Sequence, residues 1–279
     1  MQVKAHAKMN WTLDIVGTRA DGYHLLDMLL QSLEVHDVLT FEKDDGLSLS
    51  IDGNEQLAKE QNNLVLKAAN ALNAYCKTKH GAKITLEKHI PTGAGLGGGS
   101  ADAATTLLAL NTLWALELSM EELAQIGLTL GADVPYCLEG GAKRVRGIGE
   151  RITSFSVDRT YWVILVKPCE GLSTKDVFQK ADELASEHPN TSACMDALAI
   201  GDMALLSKNA NNALLPAATF FRKEVTKVLE VLKNHGANFT AMTGSGCVVY
   251  GIYKKEEIAR QAISSIKQQY DTVFLTKTI

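Results

Sequence analysis

The sequence predicts a fold that mixes helices and strands, and three observations predict it. Along the first segment Val3, Ala5, Ala7, Met9, Trp11, Leu13 and Ile15 alternate with Lys4, His6, Lys8, Asn10, Thr12 and Asp14, which is the two-residue period of a strand. Pro91-Thr92-Gly93-Ala94-Gly95-Leu96-Gly97-Gly98-Gly99-Ser100 then sets five glycines in the seven positions 93–99, directly ahead of an alanine-rich helical run. From residue 161 to the C-terminus, helical spacing alternates with short β-forming runs. With 279 residues, 46% of them hydrophobic, the chain is long enough for one large or two ordinary domains.

The first strand is expected to be half-buried, its polar face turning the Lys8 ammonium and the Asn10 amide outward. Strands follow at 38–41 and 47–51, around the turn-forming Asp44-Asp45-Gly46. Asn62-Asn63 caps a helix on which Leu64, Ala68, Leu72 and Cys76 recur at helical spacing. A strand over 82–86 leads into the glycine loop and its helix, and Ser119-Met120-Glu121-Glu122 reads as a capping box opening a helix to Leu130. In the last third the spacing predicts a buried strand at 161–166, helices at 174–185, 222–234 and 256–269, and strands at 239–242, 248–252 and 273–275. No internal repeat or Pro-rich linker divides the chain, and composition shifts only weakly near 154–160.

The glycine loop points to anion chemistry. Glycines remove the Cβ atoms that would keep backbone N–H groups from converging on a phosphate, and a helix N-terminus adds unpaired N–H groups and the positive end of a dipole. Three specific readings compete. Gly93, Gly95 and Gly98 satisfy GxGxxG, but a dinucleotide fold needs an acidic residue ending a second strand about 20 residues on. Glu117 is the nearby candidate, and 103–116 reads as helix. A Walker A loop needs Lys before its Ser/Thr, where this chain has Gly99. A protein-kinase loop needs VAIK, HRD and DFG segments, which the sequence lacks.

Composition excludes further classes. A net charge of −4 leaves no electrostatic footprint for nucleic acid. Apolar runs fall short of the roughly 20 residues of a membrane span, and no signal peptide precedes the first strand. Cys76, Cys137, Cys169, Cys194 and Cys247 lack any CxxC pair, so neither a disulfide framework nor a zinc site is expected and a reducing cytoplasm fits.

The loop Pro-x-x-x-Gly-Leu-Gly-Gly-Gly-Ser resembles the second motif of the GHMP small-molecule kinases. Ala5-His6-Ala7-Lys8-Met9-Asn10-Trp11-Thr12-Leu13 is similar to the family's N-terminal motif, and Met242-Thr243-Gly244-Ser245-Gly246-Cys247 to its C-terminal one. Arg19-Ala20-Asp21-Gly22-Tyr23-His24 and Gly131-Ala132-Asp133-Val134-Pro135 are similar to family members whose acceptor is a cytidine diphosphate polyol. The resemblance implies a two-domain α+β fold, with an N-terminal ATP-binding domain over 1–157, a C-terminal domain over 158–279 and an active site in the cleft between them. It implies ATP with Mg²⁺ as phosphoryl donor and a cytoplasmic enzyme that binds neither nucleic acid nor membrane. Oligomeric state and Mg²⁺ ligands stay open.

Residue by residue, the resemblance makes Asp133 the catalytic aspartate and puts Lys8 beside it to steady the developing charge. Pro91, Gly93, Gly95, Leu96, Gly97, Gly98, Gly99 and Ser100 cradle the ATP phosphates, the Ser100 hydroxyl near phosphate or Mg²⁺, with a helix N-cap as its plainer role. Asn63 and Lys88 line the adenine side. Tyr23 and His24 stack on and hydrogen-bond a cytosine ring, Phe178 closes the sandwich, and Asn10 takes polyol hydroxyls. Gly244, Ser245 and Gly246 complete the cleft wall, or else form a plain turn between strands. A family member whose acceptor carries no base, or a non-catalytic nucleotide-binding protein, are the alternatives; Tyr23-His24 argues against the first and the pair Lys8 and Asp133 against the second.

Overall fold

The computed structural model describes residues 1–52 and 63–279. Asn62, expected to help cap a helix, lies outside them. The chain forms two compact units, each interleaved in sequence, and the long strands β1 (Gln2–Thr18) and β2 (His24–Asp44) contribute residues to both.

The first unit comprises Met1–Ala7, Val35–Pro91 and Gly97–Gly140. Here the end of β2 pairs antiparallel with β4 (Gly81–Glu87), Val38 opposite Glu87 and Asp44 opposite Gly81. β3 (Leu47–Asp52) pairs parallel with β4. The turn at Asp44-Asp45-Gly46 therefore makes no hairpin, because β4 is inserted between the strands it joins. Gly81 sits at that insertion because a Cβ would lie 2.3 Å from the Asp44 carbonyl oxygen. Helix α1 (Leu64–Cys76) starts where the Asn63 side chain accepts the Val65 N–H at 2.8 Å, leaving Val65, Ala68, Ala69 and Leu72 on the buried face.

Helix α2 (Gly98–Leu113) is apolar around most of its circumference and is packed on several sides. Helix α3 (Met120–Leu130) opens with the expected capping box between Ser119 and Glu122. The short α4 (Val134–Glu139) follows at once, with Pro135 in its first turn, where a missing N–H costs nothing. Together α1, α2 and the β2–β4 face enclose Leu39, Phe41, Ile84, Leu86, Leu107 and Leu110.

The second unit comprises Lys8–Glu34, Thr92–Leu96 and Gly141–Ile279. The start of β2 pairs with β5 (Ala142–Gly147), which pairs with β6 (Arg151–Ser154). A second, antiparallel sheet has the order β10-β7-β9-β8, with β7 (Trp162–Lys167), β8 (Phe239–Met242), β9 (Val249–Tyr253) and β10 (Thr272–Lys277). Val163, Ile164, Leu165 and Val166 are buried in succession, which is why that strand reads as an unbroken apolar run. Six helices complete the unit: α5 (Thr174–Ala181), α6 (Thr191–Ile200), α7 (Met203–Asn209), α8 (Leu215–Phe221), α9 (Glu224–Asn234) and α10 (Glu256–Ile266). Trp11 anchors this core, its ring 6.1 Å from Tyr161, 6.2 Å from Phe239 and 6.5 Å from Tyr250.

Candidate active site

The second unit gathers three of the predicted motifs around one side chain. Asn10 Oδ1 accepts from Lys8 Nζ at 2.9 Å, from the Gly244 N–H at 3.0 Å and from Thr243 Oγ1 at 3.2 Å. Thr243 Oγ1 also lies 3.1 Å from the Gly95 carbonyl oxygen, and the Lys8 N–H donates to the Leu96 carbonyl at 2.9 Å. The first strand, the start of the glycine loop and the C-terminal glycine motif are thus tied into one hydrogen-bonded knot. One expectation is corrected here. The polar face of β1 is not turned outward: Lys8 is 3% exposed and Asn10 1%, because the two loops cover it. The Asn10 carboxamide oxygen, expected to take polyol hydroxyls, is shared among these neighbours, and its Nδ2 donates to Met28 Sδ at 3.5 Å.

Asn212 was not legible as a site residue, yet its Nδ2 donates to the carbonyls of Met242 and Gly244 at 2.9 and 3.0 Å and holds the third motif. Its signal is tertiary, and the adjacent Asn211-Asn212 pair looks like an ordinary turn. Ser245 bonds Thr174 at 3.0 Å, which fixes the start of α5 to the same motif. Gly246 has φ +88°, a left-handed backbone that suits glycine.

The glycine loop enters α2 in the first unit. Gly97, at φ +69°, is the N-cap, so Ser100 is the third helical residue rather than the cap. The first helical bond runs from the Ala101 N–H to the Gly97 carbonyl. The N–H groups of Gly98, Gly99 and Ser100 precede it and have no carbonyl within the helix, which is the donor set an anion needs. Pro91 and Leu96 flank the loop, Leu96 being buried. Asp133 is the N-cap of α4 and makes no side-chain cap bond there, its carbonyl accepting the Cys137 N–H at 3.0 Å instead. Asn63 spends its carboxamide oxygen on capping α1.

Behind this loop lies a buried ion cluster with no local signature in the chain. Lys88 Nζ bonds Asp37 and, at 2.8 Å, Asp102. Asp37 Oδ1 also accepts the N–H groups of His89 and Ile90, at 2.6 and 2.8 Å. Lys88 is thereby corrected from an adenine contact to a support: its ammonium is occupied, and a Cβ on Gly98 would sit 3.2 Å from it. Burial works against the Lys88 charge, but the two carboxylates overcome it and hold the group above the ordinary lysine range. Asp102 is the weaker partner. Burial pushes its carboxyl up to about 7 despite Lys88, and its Oδ1 has no hydrogen-bond partner among the described residues.

The fold raises the Asp102 pKa from 3.8 to about 7, so between those values the folded chain holds a proton that the unfolded chain releases, and stability from this group falls as pH rises through that window. Asp102→Asn should therefore gain on the wild type between pH 4 and pH 7 in denaturant unfolding. A wild-type-minus-variant difference that is flat with pH would contradict it.

Tyr23, His24 and Phe178, expected to recognise a base, all lie in the second unit. The His24 ring stacks on Phe178, centroids 4.9 Å apart and planes at 30°, while Tyr23 is 67% exposed. His24 Nε2 lies 2.7 Å from Asp182 Oδ1, a partner 158 positions away in sequence.

A glycine loop opening a helix, a second glycine loop hydrogen-bonded to its start and an aromatic pair match the motifs of a small-molecule phosphotransferase. Comparison with known proteins agrees. The GHMP kinases N terminal domain matches residues 63–141 and the GHMP kinases C terminal domain residues 194–272, and the chain belongs to this family of ATP-dependent small-molecule kinases. Among its relatives are the 4-diphosphocytidyl-2-C-methyl-D-erythritol kinases of Clostridium tetani, 37% identical over 100% of both chains, and of Thermoanaerobacter pseudethanolicus, 39% identical over 100% of this chain and 96% of that one. A crystal structure of 4-(cytidine 5'-diphospho)-2C-methyl-D-erythritol kinase superposes with a TM-score of 0.83 at 30% identity, covering 100% of this chain and 99% of that one. Homoserine kinase from Cytophaga hutchinsonii, at 18% identity and TM-score 0.75 over 100% and 94%, shares the fold. Among the described residues no helix is long and apolar enough to cross a membrane.

Proposed function

We propose that this chain transfers the γ-phosphoryl group of ATP to the 2-hydroxyl of 4-diphosphocytidyl-2-C-methyl-D-erythritol, a step of the non-mevalonate route to isoprenoids. The observation that carries this reading is the His24 ring stacked on Phe178 beside the exposed Tyr23, Phe178 sitting on a helix tied through Thr174 and Ser245 to a glycine loop. Aromatic faces with a polar ring atom suit a free nucleobase. Neither mevalonate nor homoserine carries one.

In the reaction the acceptor oxygen forms a bond to the γ-phosphorus, the bond from that phosphorus to the β,γ-bridging oxygen breaks, and ADP leaves. Asp133 receives the hydroxyl proton, or orients it during transfer. Lys8, steered by Asn10, offsets charge on the transferring group. The N–H groups of Gly98, Gly99 and Ser100 hold nucleotide phosphates, with Gly93, Gly95 and Gly97 shaping the approach and Gly244, Ser245 and Gly246 forming a second wall. The Ser100 hydroxyl is the protein group that would lie nearest a Mg²⁺ ion carried in with the nucleotide, which would supply neutralisation of phosphate charge. We also keep the segments 1–157 and 158–279 as the N- and C-terminal domains, each containing one of the two family matches. The five free thiols support a cytoplasmic setting.

Tyr23→Ala should raise the KM for the acceptor by a factor matching the roughly 1–3 kcal/mol of a base–aromatic stack, with KM for ATP little changed. Steady-state kinetics with each substrate varied in turn checks this, and an unaltered acceptor KM would remove the stacking role.

A further inference from the structure

The carboxylate of Asp182 is an unusual choice for its position. It is the C-cap of α5, where an acid faces the negative end of the helix dipole. The nearby cation does not compensate it, because Lys180 Nζ bonds Glu183 at 2.6 Å and lies 4.1 Å above the Phe220 ring. What Asp182 touches is His24, and Phe178 stacks on the same ring. Phe178 and Asp182 are four residues apart, one turn along one helix face, so α5 grips one imidazole with a ring and an anion together.

We propose that Asp182 is a positioning residue that sets the tautomer of His24 and through it the choice of cytosine over uracil; this rests on the acceptor reading above. An ionised carboxylate only accepts hydrogen bonds, so the neutral imidazole keeps its proton on Nε2 and presents a lone pair at Nδ1. Cytosine carries a 4-amino donor that such a lone pair accepts. Uracil has a 4-oxo group there, and two acceptors face each other. A second partner that orients a histidine is a familiar device at metal sites; here it would orient the histidine toward a base, and the discrimination comes from an unmatched polar contact.

The test compares the wild type, Asp182→Ala, Asp182→Glu and Tyr23→Ala on the cytidine acceptor and its uridine counterpart, with ¹⁵N chemical shifts of the His24 ring as a second readout. The expected result for Asp182→Ala is an acceptor KM raised about tenfold, the size of one lost hydrogen bond, a cytidine preference reduced by a similar factor, unchanged kcat and KM for ATP, and a mixture of ring tautomers. Asp182→Glu should restore most of the preference. An Asp182→Ala enzyme with wild-type preference and a single Nε2–H tautomer overturns the proposal, and if Tyr23→Ala still weakens the acceptor, the base-site reading survives it. Failure of the wild type to turn over the cytidine acceptor sinks that reading and this inference with it.

Discussion

Asp133→Asn is expected to lower kcat by a hundredfold or more, because a positioned acid–base group contributes on that scale and an amide cannot take the acceptor's proton. Lys8→Ala should cost a similar factor through lost stabilisation of phosphoryl charge. The two losses have different settings. Asn at position 133 keeps the size and shape of the side chain and changes its charge, and denaturant unfolding of Asp133→Asn shows whether the fold is kept. Lys8 is bonded to Asn10, which binds Gly244 and Thr243, so its removal also frees part of the knot. Calorimetric ATP titration alongside single-turnover kinetics separates the effects: ATP affinity is retained in Asp133→Asn and falls modestly in Lys8→Ala. Near-wild-type turnover in either variant would strip that residue of its role.

The second large effect is expected at Gly95. Its φ of +73° is a left-handed backbone, and a Cβ there would lie 2.2 Å from the Thr243 carbonyl oxygen. Neither partner can yield cheaply, because the clash is with backbone and Thr243 Oγ1 is itself bonded to the glycine loop. Gly95→Val should therefore force the two glycine motifs apart, lower ATP affinity at least tenfold and destabilise the chain by about 2 kcal/mol or more. Gly22 is the internal control. It also has positive φ, but nothing lies within 4 Å of its Cβ position, so Gly22→Ala should cost far less. Equal ATP affinities for Gly95→Val and the wild type would reduce the loop contact to a coincidence of packing.

What could be read in advance was whatever is local in sequence. The two-residue alternation marked β1, Asn63 and the Ser119–Glu122 box marked helix starts, and the glycine run marked the entry to α2. The burial of Lys8 and Asn10 was not legible, because alternation says which residues share a face and not what covers the polar one. β5 went unread because Lys143, Arg144 and Arg146 interrupt its apolar positions. α6 did carry signals, Asn190 capping Ala193 and Gly201 ending the helix in a left-handed turn, but its face is not strongly divided into apolar and polar halves. Asp37, Asp182 and Asn212 matter only through partners 51, 158 and about 30 residues away. Nothing local distinguishes such a residue from a turn.

The proposed reaction is tested most directly by ³¹P NMR of the product formed from ATP and 4-diphosphocytidyl-2-C-methyl-D-erythritol, run with and without CMP as competitor. The expected result is one equivalent of ADP, a new phosphomonoester resonance assigned to the 2-oxygen, and slower turnover as CMP rises. Phosphorylation of mevalonate or homoserine instead, indifferent to CMP, would contradict it.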